Sequence, residues 1–95
     1  MGRSAFKQVM EQRLRDLGVQ MASVGARLAD SPEQTVREEV AARLDVLEGR
    51  RAAIGEDLAA LEGEREGGCE DLRLQLEHDW DTLVQDFEEH LASLA

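Results

Sequence analysis

Apolar side chains recur at alternating steps of three and four residues along nearly the whole chain. The runs are Phe6, Met10, Leu14, Leu17, Met21, Val24 and Leu28, then Val40, Leu44, Leu47, Ile54, Leu58 and Leu61, then Leu76, Trp80, Leu83, Phe87, Leu91 and Leu94. At helical pitch that step keeps each run on one face, whereas a strand needs alternation at every second residue. A face so long and narrow is the seam of a coiled coil or small helical bundle. The fold class is therefore all-α, in one domain covering residues 1–95, because a chain of 95 residues holds one small core and no second.

Composition limits what that core encloses. Aromatic residues make up 3% of the chain and Tyr is missing, against 42% hydrophobic and 34% charged residues. Leu, Val and Ala therefore fill the interior, the solvent faces are densely charged, and a deep shaped cavity is not expected. No stretch approaches the apolar length of a membrane span, and Met1 to Lys7 has no secretory apolar region, so the expected address is cytoplasmic. Cys69 is the only cysteine, which rules out a disulfide within the chain.

The net charge of −10 is unevenly placed. Residues 1–29 carry five basic and two acidic side chains, a net +3, and residues 69–95 carry Arg73 against eight acids, a net −7. The two ends attract, within a molecule or between molecules. Nucleic acid is a poor partner for so acidic a chain, whose basic end offers only Phe6 for stacking on bases. An anionic membrane is disfavoured on the same charge argument.

Punctuation divides the stripe. In Asp30-Ser31-Pro32-Glu33-Gln34 the spacing makes Ser31 a helix cap, Pro32 the first helical residue and Gln34 the return partner of a capping box. One helix ends near Ala29 and the next starts at Pro32, a connection short enough for an antiparallel hairpin. Gly67-Gly68 costs a helix interior about 2 kcal/mol relative to alanine, and the heptad phase slips there, which predicts a break or hinge at 67–68. The expected helices span about 5–29, 32–66 and 69–94. Two arrangements follow. A turn at 67–68 closes an up-down-up, coiled-coil-like bundle of three helices with the acidic third segment parallel to the basic first. A continuous helix over 33–94 runs roughly 90 Å and leaves half its length needing a partner.

The third segment has the widest stripe, since Val84 and Leu91 flank Leu76, Trp80, Leu83 and Phe87, and these six residues are the candidates for protein interaction. Asp71-Leu72-Arg73, Trp80-Asp81-Thr82-Leu83 and Phe87-Glu88 resemble the C-terminal pattern of a family of small bacterial coiled-coil proteins of unknown function. In that family a charged helical hairpin precedes the segment. Cys69 stands where the family's first Trp usually does, and Lys7 is the only lysine. The resemblance implies a helical fold without known catalysis and supplies no substrate or active-site residues.

Residues able to do chemistry are few. Asp86 and His90 at i and i+4 form a possible metal pair, but the Glu-x-x-His pattern of bundle metal sites is missing, and the pair reads as part of an acidic solvated face. Cys69 lies among Glu66, Glu70 and Asp71, which raise a thiol's pKa, and no base is placed beside it. Phosphate-binding glycine loops are absent. The single glycines Gly18, Gly25, Gly49, Gly55 and Gly63 either permit close helix approach or sit on faces where helix strength matters little. Arg51 and Arg65 occupy seam positions, where packed stems with guanidinium groups reaching for water are favoured over a register-fixing role. No catalytic, cofactor or metal residues are assigned, and no small-molecule substrate is expected. The expected function is a non-enzymatic coiled-coil interaction or structural module, acting by self-association into a homo-oligomer or by binding a helical protein partner. The alternative is an amphipathic lipid-surface protein resembling exchangeable apolipoproteins.

Overall fold

The computed structural model describes residues 2–61 and 66–93. Among the described residues three α-helices follow one another, α1 (Arg3–Leu28), α2 (Gln34–Ala60) and α3 (Glu66–Ser93), and there is no strand. They form an all-α bundle with overall dimensions of 52 × 18 × 17 Å. A straight helix through 33–94 would far exceed that length, so the chain reverses between α2 and α3.

The neighbours along each interface fix the direction of each pass. Arg51 of α2 reaches Leu14 of α1, and Leu44 lies by Gly25, so α1 and α2 are antiparallel. Arg50 pairs with Asp86, and Val36 and Val40 line a cleft with His90 and Ser93, which makes α2 and α3 antiparallel too. The Arg73 guanidinium lies 4.7 Å from the centre of the Phe6 ring, and Gln20 shares a groove with Leu91, so α3 runs parallel to α1. This is the up-down-up arrangement.

The apolar stripe forms one continuous core, from Phe6 through Val24 on α1, Leu47 through Leu58 on α2 with Leu61 at its C-cap, and Leu76, Leu83 and Phe87 on α3. Each large side chain removed from water contributes about 1.5–3 kcal/mol. Among the described residues no polar or charged side chain is buried, so stability rests on this apolar seam.

The first connection differs from the expected capping box. α2 starts at Gln34 with Glu33 as its N-cap and no side-chain cap bond, two residues later than predicted. The Ser31 N–H donates to the Leu28 carbonyl at 3.2 Å, and the Ser31 carbonyl accepts from the Arg37 guanidinium. With both backbone groups of Ser31 committed to the turn, the first carbonyl to accept a helical N–H of α2 is that of Glu33, from Arg37 at 3.1 Å. Gln34 turns forward to donate to Glu38 at 2.8 Å instead of closing the box.

The second connection is displaced as well. α2 ends at Ala60, short of the expected 66, and Gly67-Gly68 lies in the first turn of α3 rather than at a break. The first-turn N–H groups of a helix lack intrahelical partners in any case, so glycine is tolerated there more readily than in an interior. Gly63, Arg65 and the Cys69 side chain lie outside the described residues.

Candidate functional site

The faces of α1 are built differently towards its two neighbours. Against α2, glycine brings the helices together: a Cβ at Gly18 would lie 3.2 Å from the Arg51 guanidinium, and one at Gly25 would lie 3.3 Å from a Leu44 methyl. Close approach is thus the role of Gly18 and Gly25. A Cβ at Gly49 would meet nothing within 4 Å, and at Gly55 only Leu14 at 4.0 Å.

Arg51 does more than pack its stem. Its guanidinium donates to the Leu14 carbonyl at 3.0 Å and makes two bonds to Glu48, at 2.8 and 2.6 Å. The bond to Leu14 ties one seam position of α2 to one turn of α1, in addition to the packing of the Arg51 stem. The Arg51 hydrogen bond holds the Glu48 carboxyl below its usual range, and Glu48 in turn raises Arg51.

Against α3 no glycine among the described residues meets the partner helix, and Trp80 and Phe87 supply bulk. The α1 and α3 backbones approach each other less closely than either approaches α2. An open groove of about 360 Å³ runs between them, with Leu17, Trp80, Phe87 and Leu91 among its apolar lining and Arg13, Asp16, Gln20, Val84 and Glu88 along its sides. Arg73 over Phe6 covers the bundle towards the start of both helices.

The six interaction candidates divide into two sets. Leu76, Leu83 and Phe87 are at most 2% exposed and belong to the core of their own chain. Trp80, Val84 and Leu91 are half-buried and meet at the groove. The opposite wall on α1, made by Arg13, Asp16, Leu17 and Gln20, did not emerge from the sequence. Its signal was the contrast between a glycine-bearing and a glycine-free flank on the same helix.

Asp86 and His90 do not converge. Asp86 is engaged by Arg50. His90 faces a cleft beside Val36, Glu39, Val40 and Arg43, where its Nε2 is buried without a hydrogen-bond partner. Burial, and then the Arg43 charge, lower the His90 pKa below the usual imidazole value. Among the described residues no three His, Cys, Asp or Glu side chains are grouped to hold a metal, and no helix is long and apolar enough to cross a membrane.

Comparison with family models, curated proteins and solved structures gives no match.

Proposed function

We propose that this chain is a non-enzymatic helix-docking module whose α1/α3 groove takes a further helix, from a second copy or from a partner protein. The observation that carries this reading is the groove itself. Trp80, Val84 and Leu91 are apolar, half-buried and aligned beside Leu17, with the helices on either side already held by α2. A fourth amphipathic helix would complete the burial of these side chains, as helix-in-groove recognition does elsewhere. Among the described residues that line the groove there is no hydroxyl, thiol or amine beside a base, so the groove favours recognition over catalysis.

The test uses Val84→Asp, which puts a charge into the groove without touching the buried core. Wild type is examined by light scattering over a range of concentrations and by Trp80 emission with added helical peptides. A mass above that of one chain, or a peptide-dependent shift in emission, supports the reading when Val84→Asp abolishes it. A mass fixed at one chain, with emission that no helical peptide moves, rejects it.

A further inference from the structure

Two flanks of α3 carry acid, and among the described residues only the α2 flank makes an ion pair across to a neighbouring helix. On the α2 flank, Asp86 is paired with Arg50. On the α1 flank Glu77 stands three residues before Trp80, Asp81 three before Val84 and Glu88 four after Val84, spacings that keep them beside the groove, and all three are exposed. Among the described residues none of the three takes part in an ion pair or a side-chain hydrogen bond. The facing wall on α1 sets Arg13 beside Asp16 and is close to neutral, so it does not balance them.

We propose that the groove is a docking site for a basic amphipathic helix of a partner protein. Its apolar stripe lies on Trp80, Val84 and Leu91, and its lysine or arginine flank lies along Glu77, Asp81 and Glu88. The proposal rests on the helix-docking reading and adds the chemistry of the occupant. An apolar floor with an acidic border on one side selects against acidic helices by like-charge repulsion and draws basic ones by steering. A second copy is a weaker occupant, because two chains each of net −10 repel and each offers its own acidic α3.

The full chain is titrated with an amphipathic Leu/Lys peptide of about five helical turns and with its Leu/Glu counterpart of the same apolar pattern, reading Trp80 emission. The Leu/Lys peptide is expected to shift the emission to shorter wavelength with an affinity that falls as salt is added, and the Leu/Glu peptide is expected to bind at least about tenfold more weakly. Replacing the three acids together (Glu77→Lys, Asp81→Lys, Glu88→Lys) leaves the helix content intact and weakens the Leu/Lys peptide by at least about tenfold, since three exposed attractions become repulsions. Val84→Asp also abolishes binding. Binding of the Leu/Lys peptide that survives Val84→Asp is surface adsorption and overturns the proposal. Equal binding of both peptides overturns the basic-partner inference while leaving helix docking in place, and emission moved by neither overturns both. A dimer seen by light scattering that excludes the Leu/Lys peptide assigns the groove to a second copy and likewise overturns it.

Discussion

The guanidinium of Arg51 crosses from α2 to donate to the Leu14 carbonyl of α1 at 3.0 Å, over the bare Cα of Gly18. That carbonyl also accepts the N–H of residue 18 in the helical ladder, and a Cβ at 18 would press on the guanidinium at 3.2 Å. Glycine opens the carbonyl, and arginine takes it. The pair explains a residue that weakens a helix and a charge that interrupts a seam, two oddities with one cause.

Gly18→Ala and Gly49→Ala are therefore expected to differ. Alanine at 49 meets nothing within 4 Å and should stabilise the chain by up to about 1 kcal/mol through helix propensity. Alanine at 18 puts a methyl 3.2 Å from the Arg51 guanidinium and should give no gain or a net loss, because the bond to Leu14 is displaced. In an Arg51→Ala background Gly18→Ala should recover its helix-propensity gain. Urea unfolding of the four variants and wild type measures the coupling, and additive effects would reject it.

The interaction stripe should separate into two energetic classes. Leu83→Ala and Phe87→Ala empty fully packed sites and are expected to cost about 2–5 kcal/mol each. Val84→Ala, at the open groove, should cost less than about 1 kcal/mol. Equal losses at Leu83 and Val84 in denaturant titrations would mean that the groove is closed in solution.

Stability should fall as His90 takes up a proton. Its folded pKa lies below the unfolded value of 6.5, so the unfolded chain binds the proton more readily. The contribution is fully present above about pH 6.5 and is lost as pH falls through the lower folded value. The groups facing it across the cleft are Arg43, which adds to the shift, and Glu39. His90→Leu should remove the step from a plot of melting temperature between pH 7.5 and 5.5. A step of unchanged size in that variant would place its origin elsewhere.

Asp86→Asn is expected to lower stability by less than about 1 kcal/mol and to leave a smaller salt dependence, because the Arg50 and Asp86 side chains are 36% and 40% exposed. Added zinc should not raise the melting temperature of wild type relative to Asp86→Asn. A metal-dependent difference would restore Asp86 and His90 as a ligand pair.

The helical fold was legible because burial follows periodicity. Every interior position from Phe6 to Phe87 lies on the three-and-four stripe, and Pro32 marks the first connection within two residues. Boundaries were less legible, since they depend on where backbone groups find partners. Arg37 reaching back to Ser31 has no local sequence signature, and it moved the start of α2 past Pro32. Gly67-Gly68 lies in the first turn of α3 instead of at the expected break, because the penalty for glycine depends on whether its turn is interior or terminal. For the groove, the sequence identified one wall only. Trp80 and Val84 stand out along α3, but the α1 wall, Leu17 apart, is ordinary polar sequence and becomes a wall only by its place opposite them.

An odd number of passes also has a mechanical consequence. The start of α1 lies at one end of the 52 Å rod beside the start of α3, and the end of α3 lies at the other beside the start of α2. Tension applied between those two ends runs parallel to every helix interface. The helices would have to slide past one another along their full length rather than peel apart turn by turn, so the Arg51 to Leu14 bond over Gly18 would have to break before α2 could slip along α1.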